Sequence, residues 1–315
     1  MDAILTTILP VFGMIVLGFG FTRARIFDAA AGRGITLFVF NVAIPALLFH
    51  TLATMEPRQA APWALWIAFF GGLAITWVAA AFVSRFVDSL DVSGGAAASM
   101  AAGFGNLALL GTPLALAHYG NQVAIPLGMI LSVHAPVLWF AAMLHRELSR
   151  HSGAFSLTRT ARELFVNLAT NGIVLSLLAG SLWRLTGLDL HPIAGRMLEM
   201  LADASVPTAL FALGVSLAGY SLKGSWNGMF AIIGLKMVLM PVLVFIMVRY
   251  MVTIPPLWAQ VAVLFAAMPT GANAFLFAQR NEEAVPAVSG AIALGTGLSA
   301  ISAAILLYLM DRNLI

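Results

Sequence analysis

Stretches of about twenty consecutive apolar residues recur along the whole chain, and no other sequence feature constrains its fold so tightly. Wound as a helix at ~1.5 Å per residue, such a run crosses the ~30 Å hydrocarbon core of a bilayer. Ten runs are read in the 315 residues: 3–22, 30–53, 62–84, 95–117, 122–144, 165–185, 194–219, 226–250, 257–279 and 285–309. None shows the period-two alternation of a barrel strand, so the expected fold is all-α and polytopic. Composition agrees: 9% of residues are charged and 61% hydrophobic, with a mean hydropathy of +0.97. A water-facing surface normally needs roughly 25% charged residues. That balance excludes a soluble enzyme, a disordered chain and a nucleic-acid partner. No Cys occurs, and the six His are scattered without carboxylates at ligand spacing, so no metal centre is expected.

Charge sets the orientation. Nothing basic precedes the first run while Arg23 and Arg25 follow it, the reverse of a secretion signal, so that run is expected to stay as a span. Ten of the Lys and Arg residues, among them Arg23, Arg25, Arg146 and Arg150, fall on the side reached after odd-numbered helices. Five, from Arg58 to Arg312, fall on the other side, and Lys236 lies inside a span. The excess marks the first side as cytoplasmic. A chain in the inner (plasma) membrane with both termini outside, in the periplasm, is expected.

The polar loop 145–163 divides the chain into 1–144 and 164–315, five helices in each. Shifting the second part back by about 162 positions sets Asn41-x-x-x-Pro45 on Asp203-x-x-x-Pro207. Each motif is followed by a Leu-Phe pair, Leu48-Phe49 and Leu210-Phe211, and Gly18 falls on Gly180. Because five is odd, a second copy must enter the membrane inverted. Inverted repeats build many secondary transporters, with the substrate site at midplane.

Helices four and nine carry helix breakers at their centres. Helix four reads Gly103-Phe104-Gly105-Asn106 on to Gly111-Thr112-Pro113, and helix nine reads Met268-Pro269-Thr270-Gly271-Ala272-Asn273. Pro removes a backbone donor and Gly frees the backbone. In hydrocarbon the released groups are tolerated only against protein or a wet cavity. Half-helix ends then offer amides to an anion and carbonyls to a cation. Asn106, Gly111, Thr112, Pro113, Pro269, Thr270, Gly271 and Asn273 are therefore the candidate substrate-binding residues.

Polar groups inside the spans add candidates for ion or proton coupling and for countercharge: the ionisable Asp203, Lys236 and His134, and Asn41 of the Asn41-x-x-x-Pro45 motif. A charge at the bilayer centre costs ~2.5–3.5 kcal/mol on insertion scales, so it faces protein or a cavity. Counting residues from the helix ends sets Asp203 and Lys236 at similar depths on successive helices, so an ion pair between them is one reading. A countercharge for a carboxylate substrate is the other. His134 would exchange protons near neutral pH or bond a neighbouring helix. Gly214-Val-Ser216-Leu-Ala-Gly219 is a small-residue packing stripe.

Over its whole length the sequence resembles a bacterial member of the auxin efflux carrier family. The residues that carry this are Asn41-x-x-x-Pro45, Asn106-Leu-Ala-Leu-Leu-Gly-Thr-Pro113 on to Tyr119-Gly120, and Ala267-Met-Pro269 with Asn273-Ala-Phe-Leu-Phe-Ala278. The resemblance implies ten helices in two inverted five-helix repeats, an architecture shared with sodium/proton antiporters and bile-acid symporters. It implies a scaffold of helices 1, 2, 6 and 7 and a transport domain of helices 3–5 and 8–10. The broken helices would cross near Pro113 and Pro269, and the transport domain would move as an elevator. Bacterial relatives are associated with malate and malonate, plant relatives with the indole-3-acetate anion. The plant Asn-Pro-Asn signature and long central loop are missing here.

The expected function is a secondary active transporter of a small organic anion, a carboxylate or dicarboxylate such as malate or malonate, or an auxin-like anion, by elevator-type alternating access. No resident cofactor is expected, the coupling ion would be Na+ or H+, and a homodimer is implied by the resemblance. No Gly-x-x-x-x-Gly-Lys-Ser/Thr loop occurs to bind ATP. The alternatives are a ten-helix exporter of the drug/metabolite type, a channel, or an intramembrane enzyme. Enzymatic chemistry is disfavoured because Ser132 and His134, two apart on a helix, do not share a face.

Overall fold

The computed structural model describes residues 2–54, 62–90, 95–150, 162, 165–166 and 169–312. The expected turn at Met55–Gln59 and residues 151–161 and 163 of the polar loop lie outside the described residues. In chain order the helices are α1 (Asp2–Arg23), α2 (Ala29–Phe38), α3 (Ile44–Thr54), α4 (Pro62–Ser84), α5 (Ala96–Gly103), α6 (Thr112–Tyr119), α7 (Ala124–Arg150) and α8 (Gly172–Leu185). Then come α9 (Pro192–Asp203), α10 (Ser205–Leu217), α11 (Trp226–Gly234), α12 (Met240–Ile246), α13 (Pro256–Ala266), α14 (Ala272–Asn281) and α15 (Val285–Asp311). Among the described residues no strand forms beyond one isolated antiparallel bridge.

The chain is a multi-pass membrane protein. Seven helical runs among the described residues are long and apolar enough to cross a bilayer: Thr6–Arg23, Ala29–Thr54, Trp63–Ser84, Leu107–Ser149, Pro192–Leu217, Trp226–Met251 and Val285–Asp311. The count is seven where the sequence reading expects ten, for three physical reasons. Helices four and nine are interrupted; Leu107–Ser149 continues for 43 residues as one run; and Gly172–Leu185 and Pro256–Ala266 are short. Helix α7 also runs on to Arg150, through the start of the expected polar loop.

Three prolines inside spans are absorbed by π turns. Pro45, Pro113 and Pro241 follow the π-helical segments Val39–Ala43, Leu107–Gly111 and Leu235–Leu239. A proline ring clashes with the carbonyl four residues earlier, here Asn41, Leu109 and Met237, and each of those carbonyls lies in the π segment. Widening the turn relieves the clash without ending the helix. At Pro207 the relief is a one-residue break at Ala204, between α9 and α10. Starts are capped by side chains: Ala31 N–H donates to Asp28 Oδ1 at 2.7 Å, Ile173 N–H to Asn171 Oδ1 at 2.9 Å, and Gly228 N–H to Ser225 Oγ at 3.3 Å.

The chain forms two compact units. The first comprises Met1–Ala60, Ala108–Ser132 and Val166–Gly219. Its α1 buries Ile4, Ile8, Val11 and Ile15, a helical stripe, while Leu9, Val16 and Leu17 stay exposed on the other side. Such an apolar outer face suits hydrocarbon, not water. Gly18 lets α1 approach the Phe211 carbonyl of α10, and Gly214 lets α10 approach the Ile15 carbonyl in return. Gly180 of α8 lies against Phe49 of α3 in the same manner.

The second unit comprises Ala61–Leu107, Val133–Phe165 and Tyr220–Ile315. Helix α4 buries Leu65, Ala68, Phe69, Leu73, Thr76 and Ala80 on one face and exposes Ile67, Ile75, Val78 and Phe82. Every residue of the small-side-chain helix α5 is buried, and Ser99 Oγ donates to the Trp77 carbonyl of α4 at 2.9 Å. At the far end of α7, Arg146 Nε donates to Glu283 Oε1 at 2.9 Å, holding the connection between α14 and α15. That connection is tight: Glu282 and Ala284, on either side of Glu283, both take left-handed backbone. Trp77 Nε1 donates to His145 Nδ1 nearby in sequence to Arg146, at 3.2 Å.

Candidate functional site: two interrupted helices crossing

Helix α5 ends at Gly103, and Phe104 turns extended, with φ −82° and ψ 99°. Helix α13 ends at Ala266, and the chain stays unwound to Gly271, itself extended at φ −94° and ψ 161°. The two extended pieces pair antiparallel through the Gly105–Thr270 bridge. Asn106 N–H donates to the Pro269 carbonyl at 2.7 Å, and Gly271 N–H donates to the Phe104 carbonyl at 2.8 Å. Thr270 Oγ1 donates to the Ala101 carbonyl at 2.9 Å, capping the last turn of α5. Each backbone group left unmet in hydrocarbon costs several kcal/mol, so the breaks persist because each satisfies the other.

Close approach is built into the sequence. A side chain on Gly271 would meet the Gly105 carbonyl oxygen at 2.9 Å and the Phe104 ring at 3.1 Å. One on Gly105 would meet Leu107 Cδ2 at 2.9 Å and Lys236 Nζ at 3.3 Å. Glycine at both positions therefore admits one backbone against the other and the lysine beneath.

Lys236 sits in the π turn Leu235–Leu239 and is fully buried. Its Nζ donates to the Ala266 carbonyl at 2.6 Å and lies 3.2 Å from Met240 Sδ. Ala266 is the last residue of α13, so the ammonium sits on the carbonyl end of a half-helix, where the helix dipole favours positive charge. An ammonium has three donors, so one remains after these two contacts.

His134 of α7 is also buried, and neither ring nitrogen has a hydrogen-bond partner among the described residues. Its ring centroid is 4.7 Å from that of Phe104, 5.8 Å from Phe69 and 6.5 Å from Phe70. An unmet buried polar group of this kind costs about 1–3 kcal/mol.

The expected site residues thus divide. Asn106, Pro269, Thr270 and Gly271 meet at the crossing, and Asn273 is half-buried in the first turn of α14. Gly111, Thr112 and Pro113 are buried but follow the break, at the end of the π turn and the start of α6, in the first unit. The crossing is centred on Gly105 and Thr270, with Pro113 further along the chain. Asn41 is exposed, its Nδ2 donating to the Leu37 carbonyl at 2.9 Å, and Asp203 is exposed at the end of α9. Sequence reasoning did not single out Phe104, Gly105, Ala266 or Met240. The glycines flanking Phe104 were a usable signal, whereas a backbone carbonyl as the partner of Lys236 leaves none.

Residues 3–307 match the model of a family described as membrane transport protein. The chain is 28% identical over 310 residues to the "Putative malonate transporter" of Rhizobium meliloti (strain 1021), covering 96% of this chain and 94% of that protein. It is 24% identical to auxin efflux carrier component 8 of Arabidopsis thaliana, covering 88% and 89%. It is 26% identical to an "Uncharacterized transporter" of Methanothermobacter thermautotrophicus, covering 94% and 95%.

Proposed function

The chain belongs to the membrane transport protein family, and from that premise we propose a secondary active carrier for a small organic anion, working by elevator-type alternating access. The observation that carries the reading is the crossing of two interrupted helices with a buried lysine beneath it. Amide groups at half-helix ends and the free donor of Lys236 form an anion-attracting patch at a depth where unpaired charge is otherwise costly. The cargo is a carboxylate or dicarboxylate, of which malonate and malate are the first candidates; a relative named for malonate supports that choice.

We read the architecture as ten spans in two inverted five-helix repeats. Gly18 against Phe211 and Gly180 against Phe49 support it, since each residue of one contact is about 162 positions from its counterpart in the other. The elevator reading is supported by the grouping of residues. Phe104 to Asn106, Pro269 to Gly271, Lys236 and His134 all belong to the second unit, as a site carried by one moving body requires. The spans expected as scaffold, numbers 1, 2, 6 and 7, fall in the first, which also takes Ala108–Ser132 from spans 4 and 5. The arginine asymmetry supports an inner-membrane protein with its termini on the periplasmic side.

The test is uptake into proteoliposomes of radiolabelled malonate, malate and indole-3-acetate, with sodium and proton gradients imposed separately. Saturable uptake of at least one carboxylate, inhibited by the unlabelled compound, is the expected result. Flux that rises linearly with concentration for every compound, or none at all, overturns the carrier reading.

A further inference from the structure

His134 stands beside the crossing with its hydrogen-bonding capacity unspent. It is 3% exposed, and both ring nitrogens lack a partner among the described residues. Its nearest aromatic neighbour, Phe104, is the residue whose carbonyl receives the Gly271 N–H, so the imidazole lies against the crossing itself. Phe69 and Phe70 of α4 complete an aromatic wall around it. A metal would need further ligands, and no group of three His, Cys, Asp or Glu side chains forms among the described residues. A helix-bridging role would need an acceptor or donor, and neither ring nitrogen meets one among the described residues.

Resting on the carrier reading above, we propose that His134 contacts the cargo directly: its N–H donates to a carboxylate oxygen of the bound anion, while the Phe69 and Phe104 rings pack against the cargo's carbon skeleton. Lys236 supplies charge at Gly105, and His134 supplies a directional donor one residue away at Phe104. A burial that is costly in the empty carrier is repaid when cargo enters, since a site built to hydrogen-bond a group discriminates strongly for it.

The experiment uses the full-length protein and two variants, His134→Phe and His134→Gln. Phe keeps the aromatic packing without a donor; Gln keeps a donor. KM and maximal rate are measured for radiolabelled malonate in proteoliposomes, and melting temperature in detergent with and without malonate. His134→Phe is expected to raise KM at least tenfold, with its ligand-free melting temperature equal to or above that of the wild type. His134→Gln is expected to stay within about threefold of the wild-type KM. An unchanged KM in His134→Phe overturns the assignment, and so does a fall in its ligand-free melting temperature, which marks a structural role. Absence of both uptake and stabilisation with the wild type, tried also with malate and indole-3-acetate, sinks the carrier reading instead. A lowered ligand-free melting temperature of His134→Phe still decides against the histidine in that case.

Discussion

Gly18 faces the carbonyl of Phe211 so closely that no side chain fits between α1 and α10. About 162 residues on, Gly180 would bring a methyl group to 2.9 Å from the Phe49 carbonyl oxygen. The obstacle is backbone in both cases and cannot swing aside. Gly18→Ala and Gly180→Ala are each expected to destabilise by about 1–3 kcal/mol, the usual cost of overpacking. Gly13 and Gly20, on the same helix as Gly18, have open space around them and serve as controls. Melting temperatures in detergent decide the matter: Ala is the better helix former, so Gly13→Ala should be neutral or stabilising, and a loss there equal to that at Gly18 would contradict packing as the cause.

At the crossing the two glycines are not equivalent. A methyl group on Gly271 meets the Gly105 carbonyl, which is fixed by the pairing, whereas one on Gly105 meets side-chain ends, those of Leu107 and Lys236, and no backbone. Gly271→Ala should therefore separate the paired segments and lower uptake more than tenfold, with Gly105→Ala clearly milder. The comparison is made on purified protein matched for quantity in the liposomes. A reversed order of severity would contradict the crossing geometry.

Much of the fold was legible because the bilayer demands long apolar runs, and each expected span overlaps at least one helix among the described residues. The interruptions were legible too, since Gly, Pro and Asn at the middle of a span have few uses. Their register was not. The family resemblance implies a crossing near Pro113, yet a π turn at Leu107–Gly111 absorbs that proline and the chain instead opens at Phe104 to Asn106. Lys236 was conspicuous as a charge, and counting residues matched its depth to Asp203. Its hydrogen bond runs to the Ala266 carbonyl, a group that exists as an acceptor only because α13 stops there.

Thr270 ties the crossing to α5 through its hydroxyl, which takes the Ala101 carbonyl left over where that helix ends. Thr270→Val keeps shape and removes the donor, leaving a buried carbonyl unmet at a cost of about 1–3 kcal/mol. Thr270→Ser keeps the donor and should recover most of that loss. Thermal melting of the pair against wild type is the measurement, and a Val variant as stable as wild type would mean that the bond contributes nothing.

Lys236→Met separates charge from packing, because Met matches the length of the lysine stem and suits a wholly buried position. Removing the buried ammonium relieves its desolvation but leaves the Ala266 carbonyl unmet, so the two effects oppose each other and stability should change little. Cargo binding should suffer. If Lys236 is the countercharge for a carboxylate, uptake falls at least tenfold while the protein still inserts and elutes as one species. Lys236→Arg is not a conservative control, because the planar fork needs more room than the space beside Gly105 and Met240 provides. A stable Lys236→Met protein with unaltered uptake would remove the lysine from the transport site and leave it a helix-end cap for α13. A loss of uptake without loss of stability is the outcome that ties the buried charge to cargo.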